Sequence, residues 1–460
     1  MSEKISTELN YSPVVSNHST VLYRKISPQG ASTNITLSAT SSIGPVEVVI
    51  PPSVWNPSRS KLNFQLQFGA AGGVALRNFV NGNGLSALSR VVVYDAASGA
   101  IWCDVSNFEK YATIVPHATH IDDFLTKGGN QVVPTVAKIM PATAVLSSVM
   151  PFEDIVKCAA TANLSFQATD LGHTTTGINP IMGRRQLIQG AANALTNFVD
   201  FSIPFSAFKF TALALDKMIY NPAQTVIQLY FNGTDNFAFT ATEDTLADQV
   251  AITTPVLNNV SITCANEGNL AIVSQVINKV MTSGLSLPIA YPSVSRQAIA
   301  ASAAHSYSLQ LTRAYGSRIL GIITVPFQGA TRPLANSHAI PTNLTTFNTF
   351  MNGVALKYPN GFDVRLCEDW KFNVEPFLKN TAVQNVGEFR LAEYAFIDSF
   401  FGDKPLCEVD QTEIDGLAVT EAASTWQIQA NYSDNQTVTY VSIILGQKTL
   451  SLSSSGSLVQ

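Results

Sequence analysis

Charge is scarce in this sequence: only 13% of its 460 residues are Asp, Glu, Lys or Arg, and the net charge is −5. An isolated soluble domain ordinarily carries about a quarter charged residues, so a surface this poor in charge is one that other protein covers. Lys and Arg form no cluster, and Arg184-Arg185 is an isolated pair read as surface or interface. Duplex recognition needs several basic side chains on one face, which disfavours direct nucleic-acid binding. Cysteine is scarce too. Cys103, Cys158, Cys264, Cys367 and Cys407 are odd in number, far apart and never in C-x-x-C spacing. Such a set predicts buried free thiols in a reducing compartment.

Long apolar runs are also missing. No window reaches about 18 uninterrupted apolar residues, so no transmembrane helix is expected. The opening MSEKISTELNYSPVV has acidic residues where a secretion signal has its apolar core. Sequons such as Asn34-Ile35-Thr36 and Asn435-Gln436-Thr437 then read as polar strand residues.

Catalytic signatures are absent: no G-x-S-x-G, Walker A loop or H-E-x-x-H occurs. His117-x-x-His120 with Asp122 and Asp123 is the only compact group of metal-type ligands. Zinc needs three or four convergent donors, and loop or interface residues are the plainer reading. Glu388, Glu393 and Asp398 are expected on the polar face of a helix, not as paired catalytic carboxylates. Gly82 and Gly84 lack the third glycine and the βαβ setting of a dinucleotide site. We therefore assign no catalytic, cofactor-binding or metal residue, expect no cofactor, and expect no enzyme.

What the chain does have is strand. Leu85 to Val115 contains a β-branched run, Ser89 to Tyr94, a turn at Ala97-Ser98-Gly99, and a second strand, Ala100 to Asp104. Ser106-Asn107-Phe108-Glu109 then has capping-box spacing, and Phe108, Tyr111, Ala112 and Val115 recur at helical period. A hairpin feeding a capped helix is the organising unit. It is expected to recur as Val354 to Tyr358, an Asn360-Gly361 turn and a strand ending at Leu366, followed by a short helix from Glu368.

Around these units, strands are expected at Thr33 to Ala39, Val46 to Ile50 and Lys61 to Phe68, the last after a Trp55-Asn56-Pro57 turn. Leu62, Phe64, Leu66 and Phe68 take the core face. Residues 116–195 read as an excursion from the β core. Asn197 to Pro204, Gln224 to Phe231 and Val256 to Ala265 are further strands, and Phe205 to Ile219 has helix-like spacing. Leu270, Val273, Val276, Ile277 and Val280 mark a helix bridging two halves. Strands follow at Gln297 to Ala303, Ser306 to Arg313 and Arg318 to Phe327, a helix at Glu388 to Phe400, then strands at Trp426 to Ala430, Thr437 to Leu445 and Lys448 to Leu452.

The fold class is therefore all-β, with two tandem eight-stranded jelly-roll sandwiches and short helices in the connections. The expected division is an N-terminal arm at 1–30, a first jelly roll at 31–265, a helical connection at 266–284, a second jelly roll at 285–455 and a tail at 456–460.

The order VVIPPSVWNP, KLNFQLQF, LSRVVVYDAASGAIWCDVSNFEKYATIV, VDFSIPFSAF, TVIQLYF and SYSLQLTRAYGSRILGIITVPF resembles the double jelly-roll major capsid proteins of icosahedral double-stranded DNA viruses. That family includes the coats of virophages, polinton-like viruses and tailless membrane-containing phages, and adenovirus hexon. The resemblance spans roughly residues 30–455 and lies in element order and hydrophobic pattern. It implies a structural coat protein whose homotrimers form pseudo-hexagonal capsomers, since three copies of a twofold repeat give a near-hexagonal outline. It also implies partners: neighbouring capsomers, minor capsid and penton proteins, and an internal membrane near the arm. Location in the virion follows, with synthesis in the host cytoplasm. Residues 116–195 and 328–352 become candidates for outward towers or subunit contacts.

The competing class is a carbohydrate-binding or carbohydrate-active β-sandwich, such as a lectin, glycosidase or viral attachment spike. It calls for a secretion route or an exposed aromatic platform beside polar ligands, whereas Trp55, Trp102, Trp370 and Trp426 are scattered and read as core.

Overall fold

Polar–apolar alternation becomes antiparallel sheet on both sides of one connecting helix. The computed structural model describes residues 19–30, 32–67, 78–80, 84–119, 173–174, 177–178, 186–188, 199–236, 238–240, 255–328, 344–356, 362–363, 396–400, 416–419 and 423–460. Ahead of the connecting helix, the main strands are β1 (Val21–Ile26), β2 (Ile43–Ile50), β3 (Val54–Gln67), β4 (Leu88–Asp95), β5 (Ile101–Ser106), β6 (Val199–Pro204), β7 (Thr225–Phe231) and β8 (Val256–Glu267). They form two four-stranded layers, β1-β8-β3-β6 and β2-β7-β4-β5, with short strands added at the edges of the first. Apart from the β4-β5 hairpin, neighbours in space are distant in sequence, as a jelly roll requires.

Leu62, Phe64 and Leu66 fill the core face of β3 as their alternation predicts; Phe68 lies outside the described residues. Phe64 stacks on Phe201 at 4.7 Å and meets Phe231 of the opposite layer edge-on at 5.7 Å, so one aromatic cluster holds both layers.

The organising unit forms as its sequence indicates. β4 and β5 pair from Arg90↔Ser106 to Tyr94↔Ile101, and Gly99 supplies a φ of +70° in the turn. Helix α1 (Phe108–Thr119) follows, and Phe108, Tyr111, Ala112 and Val115 are all fully buried. The bridging helix, α2 (Leu270–Ser283), starts at Asn269, whose side chain accepts from the Ala271 N–H at 3.0 Å, and stops at Gly284 with φ +71°.

Beyond α2 come β9 (Leu285–Leu311), β10 (Arg318–Gln328), β11 (Leu344–Met351), β12 (Phe396–Ser399), β13 (Ser424–Ser453) and β14 (Gly456–Val459). They make one curved sheet with the path β11-β13-β10-β12, to which β9 and β14 add by pairing with β13. Among the described residues no sheet joins strands from the two sides of α2, yet their buried side chains form one connected cluster.

Several local expectations are corrected. Trp55-Asn56-Pro57 is no turn but part of β3: pairing with β8 is irregular between Asn56 and Lys61, so the N–H that Pro57 lacks falls in a gap of the ladder. Ser60 spans that gap, donating to the Asn56 carbonyl at 2.8 Å and accepting from the Ala265 N–H at 3.0 Å. Phe205 to Ile219 is not an α-helix but two 3-10 turns, Phe205–Ala207 and Ala212–Ala214, separated by Phe210 at φ +54°. Thr211 takes the backbone groups a helix would have used, donating to the Phe208 carbonyl and accepting from the Leu213 N–H.

For the second hairpin, the expected Asn360-Gly361 turn lies outside the described residues; a turn at Asn352-Gly353, φ +51° and +82°, leads into Val354–Ala355, which pairs with β11. Phe362–Asp363 pairs with β11 as well, not with Val354–Ala355. β11 thus occupies the later part of 328–352, where an outward loop was expected. The helix expected at Glu388 to Phe400 ends instead in strand β12; its earlier part, and the helix from Glu368, lie outside the described residues. Strands expected singly merge into the long β9 and β13. The last residues of the expected arm form β1, paired with β8, and those of the expected tail form β14, paired with β13.

Candidate functional site

The residues singled out for chemistry do not converge in the described structure. His117 lies on α1, while His120, Asp122 and Asp123 fall outside the described residues. Among the described residues no group of three His, Cys, Asp or Glu is placed to hold a metal ion. Glu388, Glu393, Arg184, Arg185 and Gly82 are outside the described residues, and Gly84 opens a buried 3-10 turn before β4. Asp398 is not on a helical polar face. It is buried on β12, accepting from the Thr349 hydroxyl at 2.9 Å and the Trp426 indole N–H at 3.0 Å. Cys103 and Cys264 are buried free thiols. Trp55, Trp102 and Trp426 are core, so none of the three supplies the platform a glycan would stack on.

Behind Asp398 runs a chain of polar side chains inside the second sandwich. His305 Nε2 lies 3.0 Å from the Gln436 carbonyl, which can only accept, so Nε2 donates. Nδ1 meets the Tyr440 hydroxyl at 3.1 Å, and Tyr440 meets Tyr432 at 2.8 Å. Tyr307 is hydrogen-bonded to Ser442, which is 2.9 Å from Thr324. Burial pushes the Tyr432 phenol up to about 12 and raises Tyr307 and Tyr440 as well. These partners lie within the core, and burial is what holds the phenols protonated. The chain orders packing; it does not present a nucleophile to a cleft.

The most elaborate polar contact outside that core is where the hairpin unit meets the strands beyond α2. Arg90 forks onto Asp104 at 2.8 and 2.7 Å, and its guanidinium lies 5.6 Å from the Tyr230 ring centre. Tyr291 of β9 sits beside Cys103, Asp104 and Arg90; burial first, then Cys103 and Asp104, push its phenol up to about 12. Lys448 of β13 covers the Tyr291 ring at 3.7 Å. On α1, burial brings Lys110 down to about 8 against the pull of Glu109, with Arg296 of β9 nearby. At the hairpin tip, fully buried Asp95 accepts from the N–H groups of Ala97 at 2.7 Å and Ser98 at 3.2 Å. The D-x-x-S-G spelling of that tip announces such an Asx turn. Nothing in the sequence announces Ser457 of β14, whose N–H donates to Asp95 at 2.8 Å.

Another margin of the first sandwich is, among the described residues, an edge. β1 is the last strand of its layer, and Leu22, Tyr23 and Leu270 are 57%, 61% and 79% exposed. Glu267, at the end of β8, fastens this margin: it accepts from the Ser19 hydroxyl at 2.6 Å and from the N–H groups of Thr20 and Asn269, each at 2.8 Å.

No protein-family model matches the chain, and no curated protein matches its sequence. Solved structures do. A chain of the Sputnik virophage particle superposes with a TM-score of 0.52 at 10% identity, covering 100% of this chain and 92% of that one. The mavirus major capsid protein gives 0.50 at 10% identity, with 100% and 95% covered. A chain of the PBCV-1 virus capsid gives 0.50 at 9% identity, with 98% of each covered. At such identities the likeness establishes the fold: this chain is a double jelly roll.

Proposed function

We propose that this chain is the major capsid protein of an icosahedral virus and that it works by self-association, without turnover. The observation that carries the reading is the end-to-end likeness to viral coat chains, which takes in both jelly rolls and the helix between them. The surface agrees. Charge is scarce, and large apolar side chains at Leu22, Tyr23, Leu270 and Val354 stand exposed on a single copy, as they do on a chain that is finished by its neighbours.

The finer statement is that three copies form a pseudo-hexagonal capsomer. Six sandwiches from three chains give that outline, and the 1–30, 31–265, 266–284, 285–455 and 456–460 division supplies two sandwiches per copy. Neighbouring capsomers, minor capsid and penton proteins and an internal membrane are its partners, and the virion is its place. Size-exclusion chromatography with light scattering tests this: three times the 49.4 kDa chain mass is expected, and particles should form on concentration. A strict monomer, or one that binds or cleaves glycans, overturns it.

A further inference from the structure

We propose that strand β14 is a strap: through Ser457 it fastens the second jelly roll onto the hairpin tip of the first, so that tip and strap open together. The inference is independent of the capsid reading. It rests on one residue that bonds to both strands of a hairpin more than three hundred positions away.

The strap is anchored at its own end by a regular ladder, from Leu450↔Val459 to Ser453↔Gly456. Within that ladder, the Ser457 N–H donates to Asp95 Oδ2 at 2.8 Å, and the Trp102 indole N–H donates to the Ser457 hydroxyl at 2.8 Å. An indole N–H can only donate, so this second bond runs from ring to hydroxyl. Asp95 ends β4 and Trp102 lies in β5, so both strands of the hairpin are held.

All three residues are buried, with 0%, 2% and 4% of Asp95, Trp102 and Ser457 exposed. A carboxylate this far from water must be met by donors, and Ala97, Ser98 and Ser457 are the donors that face it. Part of that donor set comes from beyond α2. Lifting the strap therefore hydrates Asp95 and loosens the turn whose own N–H groups it holds. Gly456 makes the approach possible: its φ is +110°, and a Cβ there would lie 3.1 Å from Asp95 Oδ2.

Apolar packing alone would leave these two segments free to open separately, each at its own rate. The strap predicts a shared rate. Hydrogen exchange followed by mass spectrometry on the full chain reads segments 96–99 and 456–460 directly. In the native chain both should be protected and should keep matching rates as urea is added. Asp95→Ala, which removes the acceptor of the Ser457 N–H, should raise exchange across 456–460 at least tenfold, while Ser455→Ala, at an exposed neighbour, leaves that segment unchanged apart from position 455. If Asp95→Ala does not fold, the native-chain measurement decides. Unequal rates in the native chain, or strap amides that do not respond to Asp95→Ala, overturn the proposal.

Discussion

The indole N–H of Trp426 donates to Oδ2 of Asp398 at 3.0 Å, joining β13 to β12 in the core of the second sandwich. The other carboxylate oxygen takes the Thr349 hydroxyl of β11 at 2.9 Å. Truncating Asp398 to alanine leaves two buried donors without that acceptor, and each such orphan costs the full desolvation of its group. Asp398→Ala should lower stability by roughly 3 kcal/mol, read from urea unfolding, and quench or shift Trp426 fluorescence. A loss below about 1 kcal/mol would show that other groups take up both donors.

Glu267 ties the start of β1 to the start of α2, and this fastening should be sensitive to acid. Burial pushes its carboxyl up, but the hydrogen bonds from Ser19, Asn269 and Thr20 hold it below the usual glutamate range. A depressed folded-state value means the charged form stabilises the fold. That contribution is complete above the unfolded glutamate value of about 4.3 and fades as pH falls through the lower folded value. Urea midpoints should accordingly separate the native chain from Glu267→Gln at pH 7 and bring them together near pH 3. A gap independent of pH would assign the effect to shape, not charge.

Much of the first sandwich was legible because its signals are local. The β-branched run, Gly99, and the Phe108, Tyr111, Ala112, Val115 period each act within a few residues, and the hairpin and α1 stand where they place them. In the second half the Asn352-Gly353 turn went unread because an Asn-Gly pair makes a hairpin only where the flanking segments pair, and it is pairing with β11 that makes this one. Phe205 to Ile219 misled because residues buried on every side imitate a helical stripe. The contacts of Asp95 with Ser457 and of Glu267 with Ser19 join residues 362 and 248 positions apart, a proximity that no periodicity encodes.

Two glycines of the second sheet and its turn should differ sharply in what alanine costs. At Gly446 a Cβ would overlap the Tyr315 carbonyl and lie 3.0 Å from the Tyr291 carbonyl, both backbone atoms of paired segments that cannot swing aside. Gly446→Ala should cost more than about 4 kcal/mol, seen as loss of soluble folded chain at 37 °C. Gly353 has φ +82° but nothing within 4 Å of a Cβ, so Gly353→Ala should cost only the left-handed conformation, about 1–2 kcal/mol. Equal effects at the two sites would mean that the turn, not the close approach at Gly446, governs the second sheet.

Burial also fixes the reactivity of Cys103 and Cys264. Both thiols are fully buried, and desolvation, their largest influence, pushes Cys264 up to about 12 and raises Cys103 further. A thiol reacts as its thiolate, so raising the pH from 7 to 9 should bring neither to life in the folded chain. Peptide mapping after iodoacetamide should find Cys103 and Cys264 unmodified under native conditions and modified in 8 M urea. Because modification needs the sandwich to open, its rate at moderate urea should follow the unfolding transition, not the titration of a free cysteine near 8.5. Labelling that climbs with pH in the native chain would place these thiols at the surface and contradict the packing of β5 and β8.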